Sequence, residues 1–273
     1  MKLADRLACP VCHRPLPVVL DRCEGCGFTI SRIGKVPVLR RSDAGEALDL
    51  RVQSASLPVQ DSATLAIPFV REALASGKPV LEIGAGVDRC CAPNLVKTDA
   101  YVYADDLDYV VDVHAMPFAD ESFDYVYSLA VFEHLHTPWQ AAAEIYRVLK
   151  PGGRVYVLSA FNQHIHAYPH HYFNMTDMGL KRCFADFVNV RVEPSPYCPL
   201  DQIGVSLLDL LEMVDNVRSR LRQPAVGRLR EAIIQLVKTL PEIQSELIRD
   251  PANGEAWRRI APGFDLYAEK PLA

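Results

Sequence analysis

The sequence predicts an α/β protein: a doubly wound, mostly parallel sheet, preceded by a small cysteine-rich module and carrying a helical insert before its last strand. Three observations predict it. From residue 62 onward, short apolar runs alternate with stretches of helical periodicity, the pattern of a parallel sheet covered by helices. One run, Val80-Leu81-Glu82-Ile83, leads straight into Gly84-Ala85-Gly86, where the chain must turn tightly at the end of a buried strand. Four cysteines fall near the N-terminus in two Cys-x-x-Cys pairs, a spacing that reads as metal ligands in a reducing compartment.

Residues 1–42 read as short strands and turns around the cysteines, ending in the extended Lys35-Val36-Pro37-Val38-Leu39. Residues 43–61 are polar and small and read as a linker; the main domain spans 62–273. Apolar positions at Leu65, Ile67, Phe69, Val70 and Leu74 predict a helix over Ser62–Ser76, with Pro68 as a break or first turn, stopped by Gly77 and Pro79. Strands are expected at Val80–Ile83, Tyr101–Ala104, Phe123–Leu129, Arg154–Ser159 and Phe264–Glu269, with a short extended piece at Tyr109–Val113. Ala142, Ile145, Tyr146 and Leu149 share one face of a helix over Trp139–Leu149, which Pro151-Gly152-Gly153 would end. Residues 200–260 turn helical and are expected to lie over the sheet edge as a lid or homodimer surface. Within them, Arg218, Arg220 and Arg222 read as a solvated face.

The composition bounds the function. A chain of 273 residues, 49% hydrophobic and 23% charged, buries one α/β core and a small module. No apolar run reaches the roughly 18 residues that span a bilayer, and Met1–Cys9 lacks an apolar signal core, so a cytoplasmic protein with no membrane partner is expected. The net charge of −5 argues against a general nucleic-acid binder. Residues 1–42 differ, with eight Lys and Arg against three Asp and Glu; even with a zinc ion on four thiolates the module stays basic, which points to an anionic partner.

Cys9-Pro-Val-Cys12, then Cys23-Glu-Gly-Cys26 after ten intervening residues, present two sulfurs per turn to one ion and complete a tetrahedral site. Four protein ligands leave no open position, so the expected Zn²⁺ is structural and supplies much of the module's folding energy. Cys90, Cys91, Cys183 and Cys198 read as ordinary small side chains. Through Gly34-Lys35-Val36-Pro37-Val38-Leu39 the segment resembles the zinc-ribbon family of small methyltransferase activators of the translation apparatus. The resemblance implies a ribbon that docks proteins or shapes a neighbouring site without catalysing anything.

Gly84-x-Gly86 gains force from Asp105, 21 residues after Gly84 at the end of the next expected strand, where a carboxylate can accept hydrogen bonds from both ribose hydroxyls. Arg89 stands where a NAD fingerprint wants a third glycine, which counts against a dehydrogenase. Over Val80–Val157 the chain resembles class I S-adenosylmethionine-dependent methyltransferases of the bacterial type 11 kind. The motifs are Glu82-x-Gly84-x-Gly86, Asp112-Val-His-Ala-Met-Pro-Phe118 with Asp120-Glu121-Ser122-Phe123-Asp124, Ser128-Leu-Ala-Val-Phe-Glu133-His134, and Glu144-Ile-Tyr-Arg147-Val-Leu-Lys150-Pro-Gly-Gly153. The resemblance implies a Rossmann-like fold and S-adenosylmethionine as cofactor. Gly84, Ala85 and Gly86 would approach its methionine portion, with Glu82 near the amino group. Asp105 and the adjacent Asp106 would hold the ribose, and Asp112 and Val113 the adenine, with Met116 packing nearby; Ser128, Leu129 and His134 belong to the later motif. Two features depart from the family: Asp88 replaces a frequent third glycine, and only seven residues separate Asp105 from Asp112, so the usual intervening helix must shrink to a turn. Asp124 reads as an internal hydrogen-bonding group and Lys150–Gly153 as a turn; Glu133-His134 either caps a helix or meets cofactor or acceptor.

Methyl transfer from a sulfonium needs alignment and exclusion of water, and a base only where the acceptor must lose a proton. After the strand ending near Ser159 come His164, His166, His170 and His171, four histidines in eight residues that could act as a base, hold a second metal, or bond locally within a lid loop. Phe161, His166, Pro169 and Tyr172 resemble a Phe…His-x-x-Pro…Tyr pattern of related bacterial methyltransferases, which makes His166 the first candidate and His164 and His170 the next. The expected acceptor is oxygen or nitrogen on a small molecule or carbohydrate-type precursor. The alternative is RNA or a translation protein guided by the ribbon. A non-catalytic cofactor-binding scaffold is the third reading, disfavoured by the intact glycines.

Overall fold

A computed structural model describes residues 6–17, 21–40, 63–87, 90–103, 106–166, 170–197, 201–217 and 223–272. Two short strands, β1 (Ser31–Ile33) and β2 (Val36–Val38), form a hairpin. Helices α1 (Ala63–Ala66) and α2 (Pro68–Ala75) follow. The break falls at Ile67 because Pro68 has no N–H to continue α1 but sits comfortably in the first turn of α2. Phe69, Val70 and Ala73 of α2 face the core.

The sheet forms around β3 (Val80–Ile83), all four residues of which are buried. On one side lie β4 (Leu95–Asp99) and β5 (Tyr109–Val110); on the other, β6 (Phe123–Leu129) and β7 (Leu149–Ala160), all parallel to β3. β8 (Val188–Pro194) and β9 (Gly263–Glu269) complete that side, with β9 antiparallel to both β7 and β8. The full order is β1-β2-β5-β4-β3-β6-β7-β9-β8. Strand order reverses between β3 and β6, where open α/β sheets bind ligands beyond their carboxyl ends. The two faces carry separate cores: Leu81, Val126, Val155 and Val157 pack with α3 (Pro138–Val148), and Val80, Tyr127, Tyr156 and Leu158 pack with α2.

The strand expected at Tyr101–Ala104 is instead β4, ending at Asp99. Lys97 and Thr98 interrupt its apolar run, and both are buried. Their polar atoms are met inside the fold: Lys97 Nζ donates to Asp106 at 2.8 Å and Thr98 Oγ1 to the Glu82 carbonyl at 2.7 Å. A second correction concerns Pro151-Gly152-Gly153, which lies within β7; α3 ends at Val148 and the chain becomes extended at Leu149. Lys150 there pairs with Asp124 at 2.5 Å. Two elements were not anticipated, β8 and the short α4 (Asp177–Cys183). The latter is capped by Thr176, whose hydroxyl accepts from the Gly179 N–H at 3.1 Å.

The insert comprises α5 (Asp201–Val217), α6 (Gln223–Arg249) and α7 (Gly254–Ile260), between β8 and β9 as expected. Pro194 pairs with Phe264, which pairs with Ser159, so β8 delivers the insert at the same carboxyl edge where β7 ends. Arg218, Arg220 and Arg222 lie outside the described residues, as do the expected linker 43–61 and Cys198.

The cysteine-rich module is continuous with the main sheet. Val38 pairs in parallel with Val110, Leu7 bridges Phe118, and the Ala8 N–H donates to the Pro117 carbonyl at 3.0 Å. Leu7, Cys9, Leu16, Cys23 and Leu39 join the core that contains Phe118 and Phe123. The module thus shares the domain's hydrophobic core.

Candidate functional site

Beyond the carboxyl ends of β3, β4 and β6 opens a cavity of about 700 Å³. Glycine shapes its floor. Gly84 has φ +74°, in the left-handed region, and a Cβ there would come within 2.2 Å of Val131 Cγ2, so only glycine lets the chain leave β3 along this path. Gly86, at φ +54°, points its N–H at Asp99 Oδ2, 2.9 Å away; the Tyr101 N–H donates to Oδ1 at 2.9 Å. Burial pushes the Asp99 carboxyl upward, and these N–H donors pull against it. A carboxylate so held keeps free lone pairs on the cavity wall.

The sequence-derived cofactor residues divide. Glu82, Gly84, Ala85, Gly86, Val113, Met116, Leu129 and His134 line the cavity. Asp106 does not; its carboxylate is taken up by Lys97. Asp112 is also off the wall. It caps the short turn over 113–115, accepting from the His114 N–H at 2.9 Å and lying 2.8 Å from His114 Nδ1, and the His114 ring holds its carboxyl below the usual range. Ser128 is fully buried inside the sheet and off the wall. Asp105 lies outside the described residues. Sequence reasoning missed Asp99, and also Thr64, Tyr101 and Tyr103 on the wall. Asp99 carried a signal, a carboxylate closing the first extended run after the glycine turn, but the apolar Tyr-Val-Tyr-Ala that follows masked it.

The wall around Met116 is braced from α3. Glu144 Oε2 accepts from the Met116 N–H at 2.7 Å, and Arg147 donates to the carbonyls of Met116 at 2.9 Å and Phe118 at 2.6 Å while pairing with Glu144 and Asp120. The Glu144-x-x-Arg147 spacing places both side chains on one helix face.

Histidines crowd the outer rim. His134 and His170 line the cavity. His134 Nδ1 donates to the His170 carbonyl at 2.8 Å, and His166 Nδ1 to the His164 carbonyl at 3.0 Å. Burial pushes both the His134 and His166 rings below the usual imidazole value, which favours neutral rings. His166 faces His134 across 4.9 Å between ring centroids; neither it nor His164 lines the cavity. Among the described residues no insert side chain lines the cavity either.

In the N-terminal module, Cys9, Cys12, Cys23 and Cys26 bring their sulfurs within 4.8 Å of one another. Cys9 and Cys26 stand 3.6 Å apart, as do Cys12 and Cys23. Burial pushes the Cys9 thiol up to about 12, whereas backbone N–H groups, that of Cys26 foremost, pull Cys23 down to about 7. Four thiols this close can ionise together only around a cation.

Residues 81–157 match the family described as a methyltransferase domain, from within β3 into β7. The chain is 44% identical over 64 residues to the ubiquinone/menaquinone biosynthesis C-methyltransferase of Roseobacter denitrificans, covering 23% of this chain and 25% of that protein. It is 54% identical over 41 residues to an uncharacterized methyltransferase of Mycobacterium tuberculosis (strain H37Rv), covering 15% and 16%. The matched segments thus span a quarter or less of these curated relatives. Among solved structures, phosphoethanolamine N-methyltransferase 2 of Haemonchus contortus in complex with S-adenosyl-L-methionine superposes with a TM-score of 0.40 at 17% identity, covering 72% of this chain and 49% of that one.

Proposed function

We propose that this chain is an S-adenosylmethionine-dependent methyltransferase that acts on oxygen or nitrogen of a small-molecule or carbohydrate-type acceptor. One coincidence carries the reading: the segment that matches the methyltransferase domain is the one whose glycine turn, Asp99 and Met116 build the cavity. When bound, S-adenosylmethionine supplies a methyl group already activated on a sulfonium. The residues present fit such a molecule: a cavity about 700 Å³ in volume, a glycine floor with no room for a side chain at Gly84, and two carboxylates on the wall. Asp99, in place of the expected Asp105, would accept from the ribose hydroxyls, and Glu82 would face the amino group. Val113 and Met116 would enclose the adenine, braced by Glu144 and Arg147. The protein's share of the chemistry is to fix the two reactants and keep water away.

Cys9, Cys12, Cys23 and Cys26 would hold a structural Zn²⁺. Their four sulfurs saturate a tetrahedral ion, and their position in the common core makes the ion a support for the sheet edge beside β5.

Isothermal titration of S-adenosylmethionine into the protein tests the cofactor site. Wild type should bind and Asp99→Ala should bind at least tenfold more weakly; absence of wild-type binding, or equal binding by both, refutes the assignment. Labelled cofactor offered with a metabolite extract or with total RNA then decides the acceptor, and label entering RNA would favour the ribbon-guided alternative.

A further inference from the structure

His134 comes from the short turn after β6, whereas His166 and His171 come from the segment after β7, yet one ring nitrogen of each lies within 4.8 Å of the others. One nitrogen of each ring is held by an oxygen acceptor. His134 Nδ1 donates to the His170 carbonyl at 2.8 Å, His166 Nδ1 to the His164 carbonyl at 3.0 Å, and His171 Nε2 to Asn174 Oδ1 at 2.9 Å. Asn174 is itself oriented, since its amide donates to the Gln163 carbonyl at 2.8 Å. Each ring therefore has its tautomer set by a fixed oxygen, leaving the lone pairs of His134 Nε2 and His166 Nε2 for another partner, while that of His171 Nδ1 is met by the His166 N–H at 3.1 Å. This is how metal-binding histidines are held: one nitrogen on an outer acceptor, the other on the ion. An ion taking His171 Nδ1 would replace that bond.

A second observation points to positive charge at this place. Glu133 is fully buried beside His134; Ser159 reaches one carboxylate oxygen at 3.3 Å, and the other has no partner among the described residues. Backbone N–H groups of Glu133 and Ala160 also reach this carboxyl, and a cation placed nearby would add to them.

We propose that His134, His166 and His171 bind a divalent transition-metal ion at the rim of the cofactor cavity, distinct from the four-cysteine cluster. Three neutral imidazoles suit zinc, iron, cobalt or nickel rather than magnesium or calcium. Three protein ligands leave at least one coordination position open, as in catalytic and not structural sites. His134 belongs both to this cluster and to the cavity wall, so the open position borders the cavity. On the methyltransferase reading, which this point alone requires, the ion narrows the acceptor to a molecule presenting an ionisable oxygen as a ligand.

The test is a titration of the full, chelator-stripped chain with cobalt(II) chloride, comparing wild type with His166→Ala/His171→Ala. The double variant should bind one equivalent fewer than wild type. It should lose the visible bands of nitrogen-ligated cobalt while keeping the near-ultraviolet thiolate absorption of the cysteine cluster. Equal stoichiometry and equal visible spectra overturn the proposal. Should the double variant melt early by circular dichroism, His171→Asn is read by the same two criteria. Calorimetry with S-adenosylmethionine on the same samples separates the two readings: lost cofactor binding in wild type refutes the methyltransferase, and an unchanged cobalt count refutes the metal.

Discussion

Asp265 lies in β9, fully buried and between β7 and β8, with no well-formed hydrogen bond to its carboxylate among the described residues beyond the neighbouring Ser195 and Tyr156 hydroxyls. Burial pushes its carboxyl from 3.8 up to about 7, against the weaker downward pull of the nearby Ser195 and Tyr156 hydroxyls. In the unfolded chain the group ionises near 3.8; in the folded chain it holds its proton to about 7. The folded state therefore binds more protons in this window, and stability falls as pH rises from about 4 to about 7, then levels. At about 1.36 kcal/mol per pH unit, the ionised form costs about 4 kcal/mol at most. Asp265→Asn keeps the shape and removes the titration. Urea unfolding of both proteins at a series of pH values isolates the effect, because every other titrating group, the cysteine cluster included, cancels in the difference. The variant's advantage should widen by roughly 2 kcal/mol between pH 5 and pH 7.5 and flatten above that. An advantage independent of pH, or a variant less stable than wild type at pH 8, would show that the carboxylate is satisfied in the folded protein and refute the reasoning.

Other outcomes follow from the cavity and the module. Gly84→Ala should abolish measurable S-adenosylmethionine binding by calorimetry and lower stability by about 1–3 kcal/mol through a strained φ and the clash with Val131. Adding Val131→Ala should recover part of the stability but not the backbone strain. Arg147→Ala frees the Met116 and Phe118 carbonyls, so cofactor affinity should drop roughly tenfold, about 1.4 kcal/mol, with a smaller change in melting temperature. Cys9→Ser should release the metal bound by the four cysteines, read by elemental analysis. Because Cys9 sits in the common core, it should also destabilise the whole domain by roughly 2 kcal/mol or more; loss of structure confined to residues 6–40 would contradict a shared core.

Much of the fold was legible from periodicity. β3, β6 and α3 are segments whose apolar spacing matches one period throughout, and Pro68 announced the break between α1 and α2. β8 was not anticipated: Val188, Val190 and Val192 alternate with polar residues, but on an edge strand that buries little the signal is faint. β4 was misplaced because period-based reading assumes that buried strand positions are apolar, and Lys97 and Thr98 break that assumption with partners supplied by Asp106 and Glu82. The glycine turn was found for the right reason: a left-handed backbone next to Val131 tolerates nothing else. Asp99 on the cavity wall was overlooked together with β4, whose end it marks.

The sequence alone therefore determined what local chemistry encodes: the alternating elements, the glycine turn after β3, and two cysteine pairs that gather their sulfurs in one cluster. Tertiary structure alone decided what depends on distant segments meeting. It joined the cysteine module to the sheet through Val38 and Val110, placed Asp99 on the cavity wall, and brought His134 to His166 and His171. The physical reason is that hydrogen bonds and ligand shells are satisfied in space. A side chain's partner is set by which strand ends lie at the same edge, and no spacing along the chain records that.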